Sequence, residues 1–157
     1  MPVVKARAEI VIRRPPELVY GFVARDFFVN YPRWSPEVQR LEVLTPGPLR
    51  VGSRARQVRL DQGRRSESVF RVTALEEPAR VEFAEGSDLF RIGYQVEPAG
   101  EQTRLTFAFE LTRLELYMRP FEKLVRIAIQ DGADRVVRNI KALVEREPGP
   151  STGLEGT

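Results

Sequence analysis

The chain opens with a polar/apolar alternation. In "VKARAEIVIR", residues 4 to 13, Ala6, Ala8, Ile10 and Ile12 fall on one side, and Lys5, Arg7, Glu9 and Arg13 on the other. A period of two predicts a half-buried strand. The period then changes. Pro15 and Pro16 suit the opening of a helix, with Glu17 in its first turn, and Leu18, Val19, Phe22 and Val23 follow at spacings of three and four. Next comes "DFFVNYPRWSPEV", residues 26 to 38, with Phe27, Phe28, Tyr31 and Trp34 crowded around two prolines. One ragged helical turn ended by Pro32 and Pro36 is expected here, because the residue before a proline avoids the helical region.

From Val38 onward the texture is that of strands: "VQRLEVL", "SRARQVRLD", "ESVFRVTALEE", "ARVEFAE", "LFRIGYQVE" and "TRLTFAFELTRL". "QGRR" and "PAGEQ" read as hairpin loops, and the spacing suits an antiparallel meander. One face carries Phe70, Val72, Val81, Phe83, Phe90, Ile92, Tyr94, Val96, Leu105, Phe107, Phe109 and Leu111. The other carries Arg71, Glu82, Arg91, Gln95, Arg104 and Glu110. A sheet wet on one side buries the other against something. The inward phase of the strand at residues 53 to 60 is left open, so either Arg56 or Gln57 can face in.

The covering element is the last one. From about Tyr117 to Glu145, apolar residues recur at Phe121, Val125, Ala128, Ile129, Val136, Ile140 and Leu143, as in a long amphipathic helix. Pro120 is tolerable only near its start. Gly132 falls mid-helix at a cost of about 1 kcal/mol against Ala, for close packing, for a bend, or for room beside a bound molecule. A disordered tail is expected over residues 147 to 157, leaving residues 1 to 146 as one domain.

Composition narrows the chemistry. The chain has no His and no Cys, so disulfides, thiolate nucleophiles and His-dependent triads are excluded, and neither a transition metal nor any other cofactor is expected. The net charge is only +3 despite a pI near 9.6. The Arg residues alternate with apolar ones along strands without interleaved stacking aromatics, so no nucleic-acid partner is expected. No apolar run is long enough for a membrane span, and the N-terminus lacks a signal-peptide pattern. A cytoplasmic location is the resulting expectation.

The order strand, two short helices, six strands, long helix resembles the START-like superfamily (SRPBCC or helix-grip proteins), and within it the polyketide cyclase/dehydrase and lipid-transport group. "IVIRRPPELVYGFVARDFFVNYPRWSPEV" resembles its opening signature, and "LTPGPLRVGSRARQ" its second motif. "VFRVTALEEPARVEF" and "YQVEPAGEQTRLTFAFEL" are similar to its later strands. The resemblance spans about residues 4 to 146. It implies an α+β helix-grip fold: a seven-stranded curved antiparallel sheet around the C-terminal helix, with a cavity between them. It also implies that residues 26 to 38 lie over one mouth of that cavity.

A cavity so placed gives the candidate ligand-binding residues Tyr31, Trp34, Phe70, Phe83, Phe90, Ile92, Tyr94, Phe107, Phe109, Phe121, Val125 and Ile129. Trp34 suits either a structural plug or a ligand contact, and Tyr31 either core or gate. Polar groups near the inward face are few: Tyr94, Ser66, Ser68, and Arg56 or Gln57, with Tyr20 and Tyr117 placed to border the cavity from the helices. No carboxylate pair falls on the apolar face. Tyr94 and Arg56 are therefore the candidates for catalysis, and any enzyme would be a cyclase, dehydratase or isomerase working without metal and without His. The favoured reading is a module that binds a small hydrophobic molecule such as a lipid, quinone or polyketide-like compound. The alternatives are such an enzyme, or a protein-interaction module using the Arg-rich outer sheet face, its protein partner unknown.

Overall fold

A computed structural model describes residues 2–146; the tail expected over residues 147 to 157 lies outside the described residues. Strand β1 (Val4–Ile12) leads into α1 (Pro16–Tyr20), a π-helical turn (Gly21–Arg25) and α2 (Phe27–Trp34). Six strands follow: β2 (Val38–Val43), β3 (Arg54–Asp61), β4 (Arg64–Glu76), β5 (Arg80–Glu85), β6 (Phe90–Ala99) and β7 (Gln102–Leu111). A 3₁₀ turn (Leu116–Phe121) then opens into α3 (Glu122–Arg146). The strands form one antiparallel sheet in the order β1-β7-β6-β5-β4-β3-β2, with α3 against its inner face in the helix-grip arrangement.

Alternation along β1 reads directly as burial, with Val4, Ala6, Ala8 and Ile12 inside and the intervening Lys5, Arg7, Glu9 and Val11 exposed. The β3–β4 hairpin turns on Gln62 and Gly63, both at positive φ (51° and 82°), the combination a two-residue type I′ turn requires. That loop is shorter than expected: Arg64 and Arg65 already belong to β4.

Two helical expectations are corrected. Pro32 does not end α2 but sits inside it. The helix loses one backbone hydrogen bond there, yet Ser35 N–H still reaches the Tyr31 carbonyl at 3.0 Å, and four buried side chains, Phe27, Asn30, Tyr31 and Trp34, hold the segment in place. The C-terminal α-helix begins at Glu122 instead of Tyr117, because the approach to Pro120 is wound as a 3₁₀ turn. The π turn has no counterpart in the sequence expectation; Asp26 N–H bonds the Gly21 carbonyl at 2.9 Å across the extra residue, and Phe22, Val23 and Ala24 all become buried.

The buried stripe of α3 is Ala133, Val137, Ile140, Leu143 and Val144, shifted toward the C-terminal half from the expected one. Phe121 is 50% exposed. The helix runs along the edge strand β1, where Arg126, Gln130 and Lys141 donate to the carbonyls of Val3, Arg7 and Val11 at 2.6, 2.9 and 2.7 Å. Side chains of α3 thus occupy edge carbonyls that would otherwise invite another strand.

Candidate functional site

The sheet's inner face does not fill solid. A cavity of about 550 Å³ lies between α2, the strands β3, β4, β6 and β7, and α3. Its apolar wall comes from Phe90, Ile92, Phe107 and Phe109 on the sheet and from Ala128, Ile129 and Val136 on α3. Phe90 and Phe109 stack with centroids 5.9 Å apart, and Tyr94 leans on Phe107 at 5.1 Å. Gly132 also lines the space. A Cβ built there meets nothing closer than the tip of Arg135, at 3.9 Å, so neither close backbone packing nor a clash accounts for this glycine.

The aromatic segment closes one end. Phe27 stacks on Phe83 at 4.3 Å and on Tyr31 at 4.8 Å, with Phe70 edge-on at 6.1 Å. Trp34 is 1% exposed; its indole N–H donates to the Tyr94 hydroxyl at 3.3 Å, and its carbonyl accepts from the Asn139 amide at 3.0 Å. Trp34 therefore plugs the core and lines the cavity at once. Burial raises the Tyr94 pKa, reinforced by the neighbouring Tyr31, so this phenol stays protonated.

A polar row occupies the opposite side. Tyr31 donates to Gln57 Oε1 at 2.7 Å and accepts from Arg59 Nη1 at 2.8 Å. Gln57 continues to Ser68 Oγ at 3.3 Å. Arg59 grips Asp61 through Nε (3.1 Å) and Nη2 (2.9 Å), with Glu37 at 3.9 Å. Burial alone would lower the Arg59 pKa; Asp61 and Tyr31 overcome it and push it up. Desolvation raises the Tyr31 pKa as well, against the nearby Arg59.

These positions resolve the open phase of β3: Gln57 and Arg59 face in. Arg56 faces out, bonded to Glu42 at 2.8 Å and near Glu67 at 3.8 Å, so it cannot serve a reaction in the cavity. The strand's period puts every second residue inside, which makes Arg59, not Arg56, the arginine of the site. Of the expected ligand-binding residues, Tyr31, Trp34, Phe90, Ile92, Tyr94, Phe107, Phe109 and Ile129 line the cavity. Phe70 and Phe83 are packed behind Phe27. Phe121 and Val125 lie outside the lining, at the end of the 3₁₀ turn and in the first turn of α3 respectively.

Ser66 and Ser68 also line it. Tyr20 is buried away from it with an unpartnered hydroxyl, and Tyr117 is exposed, accepting from Arg64 at 2.9 Å. Arg59, Asp61, Glu37 and Asn139 are absent from the sequence expectation; an Arg-x-Asp pair at a strand end, in phase with Gln57, is the signal that could have found them. Among the described residues, no group of three Asp or Glu side chains is gathered to hold a metal ion, and no helix is long and apolar enough to cross a membrane.

The same architecture occurs in solved structures. A protein from Thermus thermophilus aligns with a TM-score of 0.72 and 22% identity, over 90% of this chain and 97% of its own. The Zhui aromatase/cyclase from a Streptomyces species aligns with a TM-score of 0.75 and 13% identity, over 90% and 93%. A START superfamily protein from Mycobacterium smegmatis aligns with a TM-score of 0.68 and 17% identity, over 90% and 97%. At these identities the likeness is one of fold. A search of curated proteins finds no match. The sequence itself is matched over residues 3–145 by the model of one family, described as polyketide cyclase/dehydrase and lipid transport; with the helix-grip fold around an open cavity, this chain belongs to that family.

Proposed function

We propose that this protein binds a small, mainly apolar molecule in the cavity between the sheet and α3, and that it acts by sheltering that molecule. The observation that carries this reading is the cavity itself. Its roughly 550 Å³ falls within the range of roughly 300–1,000 Å³ usual for small-molecule sites. Each 100 Å² of apolar ligand surface covered there contributes about 2.5 kcal/mol, against an association cost of several kcal/mol. A flat or chain-like molecule with two or three rings' worth of surface therefore binds usefully.

Native mass spectrometry of protein purified without delipidation, followed by titration with a fluorescent hydrophobe, tests the reading. A co-purifying hydrophobe, or saturable one-to-one binding, is expected. No uptake from a broad panel of lipids, quinones and polyaromatics would end it.

A second reading, a cyclase or dehydratase acting on an aromatic or polyketide-like substrate, is favoured by one observation. The Tyr94 oxygen accepts from Trp34 while facing the cavity, an arrangement suited to hydrogen bonding a carbonyl that gains charge in a transition state. Turnover of such a substrate that survives Tyr94→Phe unchanged would remove this assignment.

A further inference from the structure

The charges around the cavity are unlike those of the chain as a whole. The chain carries +3, yet the lining holds two cations, Arg59 and Arg135, against the carboxylates of Glu37, Asp61 and Glu85, while Glu67 borders the space with its carboxylate turned to Arg56. Neither cation is idle. Arg59 holds Asp61 with two hydrogen bonds and Tyr31 with a third. Glu37 lies between the two arginines, 3.9 Å from Arg59 and 4.0 Å from Arg135. A ligand carboxylate would enter a partly desolvated space with no unengaged cation and several like charges, the least favourable setting for an anion.

The inner wall asks for the opposite kind of group. The Tyr94 hydroxyl has one partner among the described residues, the Trp34 N–H, which it accepts; its own proton meets no acceptor. The Tyr31 hydroxyl, by contrast, both donates and accepts within the protein. A buried O–H without an acceptor is completed most simply by a ligand carbonyl oxygen. Burial keeps that phenol a donor.

We propose that the cavity selects an uncharged ligand bearing a hydrogen-bond acceptor, a ketone, quinone or ester, received by Tyr94, and rejects carboxylates such as free fatty acids through the Glu37–Arg59–Asp61 row. The proposal rests on the cavity-binding reading above and names its ligand class.

A matched pair of probes tests it: 1-pyrenebutanoic acid and its methyl ester, titrated by fluorescence into the full chain at pH 8. The ester is expected to bind at least tenfold more tightly than the acid. Tyr94→Phe should weaken the ester about fivefold or more. Asp61→Asn, which releases Arg59 toward an incoming anion, should strengthen the acid severalfold and so narrow the ester-to-acid ratio. Gly132→Phe places a ring in the cavity from α3 and should abolish binding of both; ester binding that persists lies elsewhere and overturns the proposal. Acid binding as tight as the ester also overturns it, but leaves the cavity-binding reading intact. If neither probe binds a chain that still unfolds cooperatively, the proposal falls, and the broad panel above decides the cavity-binding reading.

Discussion

Tyr31 and Tyr94 are both buried phenols near one another, but their hydroxyls do different work. Removing the Tyr31 oxygen strands Gln57 Oε1 and one Arg59 N–H, and an orphaned buried polar group costs about 1–3 kcal/mol. Removing the Tyr94 oxygen strands the Trp34 N–H but also deletes a donor that had no acceptor, so the two effects oppose. Tyr31→Phe should therefore destabilise by about 1–3 kcal/mol, and Tyr94→Phe by clearly less. Urea unfolding of the two variants decides, and the reverse order would show that Tyr94 serves the fold first. The sequence made Tyr94 legible, because its strand alternates cleanly between Phe90, Ile92 and Val96. It hid Arg59, because the apolar residues of β3 are split between its two faces, Ala55 in phase with Gln57 and Arg59, and Val58 and Leu60 in phase with Arg56, so no apolar face marks which residues point in.

At the scale of elements, α3 carries its least helix-favouring residue where the cavity opens. Gly132 has space for a methyl group, the nearest atom being the Arg135 tip at 3.9 Å. Gly132→Ala should raise stability by up to about 1 kcal/mol, read as a higher denaturant midpoint; a loss of stability would mean that the backbone there is bent in a way alanine resists. The seven strands and the long helix were readable because periods of two and of three to four persist over many residues. The middle of the chain was less so. Pro32 normally stops a helix, and no residue pattern announces a π turn; both are held by tertiary packing, including the buried Asn30 amide, which donates to the Phe22 carbonyl at 3.0 Å. The apolar stripe of α3 was misplaced for a related reason. Phe121 is 50% exposed and Ala128 is exposed as well, so periodicity marks a helix but not which half of it is covered.

Across the whole molecule, the apolar packing of α3 is concentrated in its second half. Its buried side chains begin at Ala133 and Asn139 ties it to the end of α2, whereas the turns before Ala133 reach the sheet through the side chains of Arg126 and Gln130 and border the cavity at Ala128, Ile129 and Gly132. Hydrogen exchange should therefore be faster at the amides of residues 126 to 131 than at those of 137 to 144, because local opening there uncovers little packed surface. Uniform protection along the helix would contradict this uneven packing.

The far end of α3 is held electrostatically, and that hold depends on pH. Glu145 accepts from the Arg13 backbone N–H at 2.8 Å, from the Arg13 guanidinium at 3.2 Å and from Lys141 at 2.7 Å, joining the end of α3 to the end of β1. Burial works against the carboxylate, but these bonds outweigh it and lower its pKa from 4.5 to about 2. A carboxyl whose folded pKa is depressed contributes fully above its unfolded value and loses that contribution as the pH falls toward the folded one. With allowance for solvent screening, the clamp is worth about 1 kcal/mol. Glu145→Gln should accordingly lie below the parent chain in stability at pH 7 by about that amount, and the gap should close as the pH falls from 4.5 toward about 2. Denaturant titrations of both proteins at several pH values measure it. A gap that stays constant into acid would mean that Glu145 contributes by packing alone, and that α3 is held on the sheet without its charges.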